Sequence, residues 1–176
     1  MNFKTNRFYS RAFSPKPLPQ QALSNLLWAA FGINRPETGG RTAPSALNKQ
    51  EIDLYLAMAD GLFLYNAKAN SLRQITTMDM RPLTGKQPFV AGAPLNLVYV
   101  ADLSKTKSED ARIYSAVGAG AIAENVYLFC ASSGLATVVR GSVDKAVLGK
   151  AMGLRADQEI ILTQTVGYHT PTMDKK

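Results

Sequence analysis

The spacing of apolar residues predicts one helix early in the chain and several strands after it. A helix is expected over 20–31, behind a proline-rich entry at 14–19, because one face collects apolar side chains at helical spacing: Leu23, Leu26, Leu27 and Ala30. Residues 52–58 alternate apolar and polar positions, as a half-buried strand does. Strands over 61–65 and 71–75 flank a polar turn, which predicts a hairpin.

The second half of the chain predicts a long helix between strands. Residues 95–101 are rich in β-branched and aromatic side chains, as strands are. A helix is expected to begin at Ser108, which would cap its first turn, and to end before Gly134. Small residues fill the middle of this helix, so another backbone can approach it closely. We therefore expect a central packing helix at a dimer interface.

The remaining elements complete the predicted fold class. A short strand over 136–139 leads to a helix over 143–152, closed by Gly153, and a last strand over 159–166. The segment 34–46 is predicted to be a polar loop. Helices interleaved with non-adjacent strands and a hairpin favour an α+β fold over a doubly wound sheet. The length of 176 residues fits a single domain over 1–176.

Charge and composition narrow the classes of partner. The net charge of +7 favours anionic ligands, but the Lys and Arg residues are scattered and their only adjacent pair is Lys175-Lys176, which disfavours nucleic-acid binding. No run of about 18 apolar residues predicts a membrane span. A cytoplasmic location is the default, with a removed signal peptide left open. The single cysteine, Cys130, lies among small apolar residues and is predicted to be a buried, inert thiol.

Two polar features could carry a ligand. Arg7 and Arg11 lie four residues apart, and arginine forks bind phosphate bidentately; the alternative is a pair of solvated surface arginines. Asn48 can donate to and accept from the edge of a flat, amide-rich ring; the alternative is a turn residue before a strand. With one histidine, His169, and no zinc-ligand spacing, an organic cofactor is the most economical source of chemistry.

A third feature lies where the strand over 136–139 ends. Arg140 and Gly141 precede the predicted helix over 143–152, and amides at a helix N-terminus favour negative charge; the alternative is an ordinary strand-to-helix turn. Glu124 and Asn125 on the long helix are polar residues that could instead make hydrogen bonds at an interface.

Taken in order, these segments resemble the FMN-dependent nitroreductase family, and most closely its branch of thiazoline and oxazoline dehydrogenases. The matching segments are Arg7…Arg11-Ala-Phe13, the helix over 23–30, Gly32-Ile-Asn-Arg-Pro36, Arg41-Thr-Ala-Pro-Ser-Ala-Leu-Asn48, Glu124-Asn125, Gly134-Leu135, Gly141 and Gly167-Tyr168. Two positions depart from the family pattern: Tyr9 stands where an arginine-flanked serine is usual, and Phe8 replaces a basic or polar residue.

The resemblance implies an α+β homodimer with two FMN sites at the subunit interface. Arg7 and Arg11, with Phe8 and Tyr9 between them, would hold the phosphate. Asn48 would contact the edge of the isoalloxazine ring. Three residues would lie close to that ring across the dimer, namely Pro44, Ser45 and Ala46. The backbone of Val139, Arg140 and Gly141 would face the ring from the strand end.

The resemblance also implies the chemistry, in which the flavin reacts and no side chain is catalytic. NADH or NADPH would reduce FMN, and an electron-poor small molecule such as a nitroaromatic or a quinone would then take the electrons in a ping-pong cycle. Three alternatives remain open: a dehydrogenase that oxidises its substrate through FMN, a flavin-binding or assembly protein with little turnover, and a basic nucleic-acid adaptor. Lys175 and Lys176 are candidates for the basic pair that many members use at the phosphate.

Overall fold

The computed structural model describes residues 10–170. Arg7, Phe8 and Tyr9, together with Lys175 and Lys176, lie outside the described residues, so the expectations placed on them stay predictions.

One antiparallel sheet of six strands organises the described part of the chain, and its strand order is β5-β4-β3-β6-β8-β7. A short pair, β1 and β2, lies apart from it within the segment predicted to be a loop. The strands are β1 Ile33–Arg35, β2 Gly40–Arg41, β3 Ile52–Met58, β4 Gly61–Asn66, β5 Ser71–Thr76, β6 Leu95–Asp102, β7 Ala136–Arg140 and β8 Gln158–Gly167. The α-helices are α1 Gln20–Phe31, α2 Ala111–Ser133 and α3 Lys145–Met152.

Both faces of the central strands are covered, so the core has two layers. On one face, alternate residues of β3 and β6, such as Leu56 and Leu97, pack with buried residues of α1 and α2. On the other face, Ala57 and Val98 pack with Leu148 of α3 and with Met80 of the segment between β5 and β6. The expectation of a half-buried strand over 52–58 is therefore wrong, because helices and loops cover it from both sides.

The predicted α+β class with helices flanking the sheet is confirmed, and α1 has the predicted bounds. The start of α2 differs from the expectation: the helix begins at Ala111, and Asp110 precedes it without a capping side-chain bond. Ser108 does not cap the helix. Its Oγ accepts from the Asp110 amide over 3.2 Å and closes a turn just before α2. At the other end, Gly134 has φ 68°, the left-handed conformation that glycine adopts without strain.

Helix α2 is also the one helix in the described part of the chain that is long and apolar enough to cross a membrane, by length and composition alone. Core helices of soluble proteins pass the same test, and α2 packs against α1, β7 and β8. Its outer face is different, because Ile113, Val117 and Leu128 are exposed there. The structure thus shows a packed helix with an uncovered apolar face.

Candidate functional site

A groove of about 830 Å³ lies at the end of β7 and brings together four residues that the sequence singled out. They are Arg11, Val139, Arg140 and Gly141. The groove is completed by residues that periodicity could not reveal, since most of them belong to irregular segments: Gln87, Pro88, Phe89, Val138 and Ser142.

Arg11 is placed beside the groove by the short segment around it. The Ser14 amide donates to the Tyr168 carbonyl over 2.9 Å, which holds the segment against the end of β8. The Phe13 ring lies 5.3 Å from that of Phe89, centre to centre, in a tilted contact. Ser10 stiffens the backbone, because its Oγ donates to the Ala12 carbonyl over 2.9 Å. Arg11 itself is exposed and lines the groove.

The backbone amides near the end of β7 differ in whether they already have a hydrogen-bond partner within the chain. The Val139 amide donates to Tyr127 Oη over 2.9 Å, so it is already engaged within the chain. The N-terminus of α3 is also occupied, because the Asp144 side chain accepts from the Val147 amide over 3.0 Å. One of the first-turn amides of α3 is thus already capped within the chain, and the expectation that this helix N-terminus attracts an anion stays a prediction. Gly141 differs, because it is exposed on the groove.

The side chain of Arg140 runs inward from the groove. Only 4% of the residue is exposed, and its guanidinium donates to three neutral acceptors. These are Thr165 Oγ1 at 3.1 Å, the Thr84 carbonyl at 2.6 Å and Asn96 Oδ1 at 2.9 Å. Burial lowers the pKa of Arg140 to about 10. The sequence identified Arg140 through its backbone position, and nothing in the sequence signalled this buried network.

Gln87, which also lines the groove, has one buried polar atom without a partner among the described residues. Its Oε1 is buried and accepts no hydrogen bond from the part of the chain that the structure describes. Buried polar atoms are nearly always bonded, so this atom is an exception; because it is closed to solvent, Gln87 lines the groove with its other atoms. The residue lies in the irregular segment between β5 and β6, which is why no periodic pattern pointed to it.

Asn48 lies in a second cavity, of about 610 Å³, which it lines with Arg41, Gln50 and Tyr65 among others. Its Oδ1 accepts from Gln50 Nε2 over 2.9 Å. The loop around it is conformationally unusual: Leu47, Asn48 and Gln50 have φ of 50°, 53° and 50°. Non-glycine residues rarely adopt positive φ, and such strained positions cluster at functional sites.

The other predicted loop residues hold this geometry or line its surface. Ser45 Oγ accepts from the Gln50 amide over 2.9 Å, while Pro44 is exposed and Ala46 half-buried. The cavity at Asn48 and the groove at Arg11 share no lining residue within one chain. The single chain therefore separates the two halves of the predicted site.

The remaining sequence candidates have structural roles. Asn125 Nδ2 donates to the Ala30 carbonyl over 3.2 Å and ties α2 to α1. Burial raises the pKa of the Cys130 thiol to about 12, which fits the inert thiol expected there. Within residues 10–170, no group of three or more His, Cys, Asp or Glu side chains could hold a metal ion.

Comparison with known proteins agrees with this geometry. A model of the nitroreductase family matches residues 5–168. A candidate nitroreductase of Methanocaldococcus jannaschii is 30% identical over 149 residues, covering 75% of this chain and 73% of that protein. The crystal structure of a candidate nitroreductase from Ralstonia eutropha JMP134 superposes with a TM-score of 0.91 at 43% identity, covering 97% of this chain and 82% of that one.

A more distant structure shares the fold. A candidate nitroreductase from Desulfovibrio desulfuricans, in complex with FMN, has a TM-score of 0.70 at 19% identity and covers 96% of this chain and 84% of that one. The match over residues 5–168 spans most of the sequence, and the groove and the Asn48 loop lie within it. This chain belongs to the nitroreductase family.

Proposed function

We propose that this protein is an FMN-dependent oxidoreductase that takes electrons from NADH or NADPH and passes them to an electron-poor small molecule. The observation that carries the proposal is the groove at the end of β7, which combines an exposed arginine, Arg11, with the exposed Gly141 and the apolar side chains of Phe89 and Val138. Membership of the nitroreductase family and the FMN bound to the Desulfovibrio relative support it.

The residues of the groove fit FMN. A phosphate monoester needs a cation, which Arg11 supplies at the groove, and arginine binds phosphate oxygens in a planar fork. Gln87 also lines the groove with atoms other than its buried Oε1, and a side-chain amide NH2 can donate to the ribityl hydroxyls or the ring carbonyls of FMN. Gly141 leaves one side of the groove without a side chain.

The chain's own part in catalysis would be binding, orientation and exclusion of water. When bound, FMN would supply the redox chemistry, taking a hydride from the nicotinamide and passing the electrons on to the acceptor. Phe89, Pro88 and Val138 present apolar surface on which a flat ring could pack away from water. Arg11 would anchor the phosphate end and so fix the position of the ring.

We further propose that the active form is a homodimer in which the Asn48 loop of one chain completes the groove of the other. Three observations support this arrangement. The two halves of the predicted site are separate within one chain. The outer face of α2 exposes apolar side chains, and Trp28 of α1 is 46% exposed. Leu47, at the tip of the Asn48 loop, is 90% exposed and so offers apolar surface to a second copy.

The test begins with the absorbance spectrum of the purified protein and mass analysis of whatever heat releases. Released FMN, or tight binding of added FMN, is expected. NADH or NADPH oxidation with a quinone or nitroaromatic acceptor is then expected to follow ping-pong kinetics. Failure to bind FMN would overturn the proposal. Tight FMN binding with no oxidation of either nicotinamide would instead identify a flavin-binding protein, or a dehydrogenase that draws electrons from a different donor.

A further inference from the structure

We propose that the Arg140 guanidinium is a fixed positive charge beneath the groove that favours the reduced, more negative form of the FMN bound there. The inference rests on the proposed function, because it concerns the same groove. It assigns to Arg140 a role in setting the reduction potential, separate from any role of its backbone. Because no contact between the guanidinium and FMN is invoked, Arg140 is a positioning residue that acts through the electric field.

The charge is unusual because no acidic side chain within residues 10–170 forms an ion pair with it. Each of its three hydrogen-bond partners is a neutral oxygen, on Thr84, Asn96 and Thr165. None of the ion pairs among the described residues involves Arg140. Buried charges are normally paired, because removing a lone charge from water is costly. A buried cation without an ion-pair partner therefore either only destabilises the fold or exerts its electric field on a ligand that binds nearby.

The surroundings also hold the guanidinium still. Asn96 Oδ1 accepts from Thr165 Oγ1 over 2.6 Å as well as from Arg140, and Asn96 Nδ2 donates to the Val90 carbonyl over 2.9 Å. Gly85 packs directly on the guanidinium, and a Cβ added there would overlap Arg140 Nη1. Two of the three acceptors, Asn96 Oδ1 and Thr165 Oγ1, are thus oriented by a second contact, which limits how far the guanidinium can reorganise when a ligand changes its own charge.

The charge persists at the pH at which an oxidoreductase works. Burial lowers the pKa of Arg140 to about 10, which still leaves the guanidinium protonated at neutral pH. Burial also keeps water from screening it, and charges interact over longer distances in a medium of low dielectric constant. The exposed Arg11, in contrast, is screened by solvent.

Because Arg140 lies at the groove, its charge can act on the FMN bound there as the FMN is reduced. Two-electron reduction of FMN takes up two electrons and one proton, so the reduced form carries one more negative charge than the oxidised form. A preorganised cation lowers the energy of the added charge and raises the reduction potential. The structural alternative is that Arg140 only joins the segment at Thr84 to β6 and β8, in which case its charge would not matter.

The test measures the midpoint potential of bound FMN in four purified variants, by equilibrium reduction against dyes of known potential. Arg140→Gln removes the charge and keeps part of the hydrogen bonding. Arg140→Lys keeps the charge. Asn96→Asp keeps the arginine and places a carboxylate beside it, where the amide oxygen now lies at 2.9 Å. Lys150→Gln is the matched control, because it removes one positive charge from an exposed position on α3.

We expect Arg140→Gln and Asn96→Asp each to weaken the preference for the reduced form about tenfold, which lowers a two-electron potential by about 30 mV. Arg140→Lys should shift the potential by less than half as much, and Lys150→Gln should leave it unchanged. Sulfite, which adds to oxidised flavin and brings negative charge, gives a second readout: its Kd should rise about tenfold in the same two variants. Neither measurement depends on turnover.

The outcomes separate this inference from the function on which it rests. If the wild-type protein does not bind FMN, the proposed function fails and this inference falls with it. If FMN binds and both Arg140→Gln and Asn96→Asp keep the wild-type potential and sulfite affinity, only the inference is overturned. If Arg140→Gln does not fold, Asn96→Asp decides alone, since it leaves the arginine in place. A potential lowered equally in Arg140→Lys would show a structural role and would also overturn it.

Discussion

The guanidinium carbon of Arg41 lies 4.3 Å from the centre of the Phe31 ring, at the point where α1 ends. The same side chain donates from Nη1 to the Phe31 carbonyl over 2.9 Å and from Nε to Gln50 Oε1 over 2.8 Å. Gln50 in turn bonds Asn48 and Ser45. Arg41 therefore links the end of a buried helix to the loop that presents Asn48.

Replacing Arg41 by lysine should loosen this loop. Lysine keeps the charge but cannot donate in two fixed directions while stacking on a ring. We expect Arg41→Lys to lower the free energy of unfolding by about 1 to 2 kcal/mol. Urea unfolding measures the change, and Arg73→Lys on the exposed side of β5 is the control, expected within about 0.5 kcal/mol of wild type. Equal stability of the two variants would contradict the linking role.

Reversing the charge at Arg11 tests the phosphate site. Arg11→Glu should abolish retention of FMN, because it replaces a phosphate partner with a like charge. Flavin fluorescence during gel filtration measures retention, and thermal unfolding of the FMN-free protein checks the fold. Lys150→Glu, which makes the same change of net charge on α3, should retain FMN. Stoichiometric FMN in Arg11→Glu would remove Arg11 from the site.

The role of Asn48 can be separated from its backbone conformation, because its φ is 53°. Asn48→Ala removes the amide and places an alanine in the left-handed region, at a cost of about 1 kcal/mol. Asn48→Gly removes the amide without that strain. FMN affinity should fall in both variants, and the alanine variant should lose more stability than the glycine variant, since both lose the bond from Gln50 but only alanine adds backbone strain. If the glycine variant binds FMN as tightly as wild type, Asn48 serves only the turn.

The elements that sequence predicted well are those whose pattern is local. Helix α1 has 12 residues with one apolar face and a proline-rich entry, and its bounds agree with the prediction. Strand β3 lies where the sequence predicts it, but it is buried on both faces instead of one. The helix and loop that cover its second face come from distant parts of the chain, so the local pattern does not reveal them. The prediction that Ser108 caps α2 was wrong for a different, local reason: Ser108 Oγ accepts from the Asp110 amide in a turn that precedes the helix.

The candidate site could likewise be predicted from the sequence only where its residues follow a local pattern. Motif resemblance found Arg11, Asn48 and the end of β7, because these residue types recur at recognisable spacing. It could not find Gln87, because an irregular segment brings this residue to the groove and such a segment has no periodic pattern. Nor could it find that Arg140 turns inward to Asn96 and Thr165, residues 44 and 25 positions away, since long-range hydrogen bonds leave no periodic signal.

Acid should weaken the segment that carries Gln87 and Phe89. Arg81 donates from Nε and Nη2 to the Asp79 carboxylate over 2.9 and 2.7 Å and from Nη1 to the Ala93 carbonyl over 3.1 Å. The hydrogen bonds from Arg81 lower the pKa of Asp79. This stabilisation is present above the unfolded pKa of about 3.9 and is lost as the pH falls through the lower folded value.

Asp79→Asn should therefore unfold more easily at pH 7, by less than about 1 kcal/mol for so exposed a pair, and should lose less stability on acidification than wild type. Urea unfolding at pH 7 and in a series down to about pH 2.5 measures both effects. Glu37→Gln, at an exposed position between β1 and β2, is the control and should follow the wild-type curve. A wild-type acid response in Asp79→Asn would show that other carboxylates dominate.

The apolar outer face of α2 leads to a prediction about the homodimer, because this face would lie at the interface between the two copies. Val117 is 65% exposed and lies one helical turn from Ile113, which is 62% exposed. If a second copy covers this face, Val117→Glu would bury a charge at the interface and should yield monomers, measured by light scattering after gel filtration. Val147→Glu on α3 is the matched control, because Val147 is 51% exposed and should tolerate the charge.

FMN should be lost together with the dimer, since the Asn48 loop would no longer reach the groove of its partner. A Val117→Glu protein that remains dimeric, or a monomer that keeps FMN, would place the interface elsewhere or confine the site to one chain.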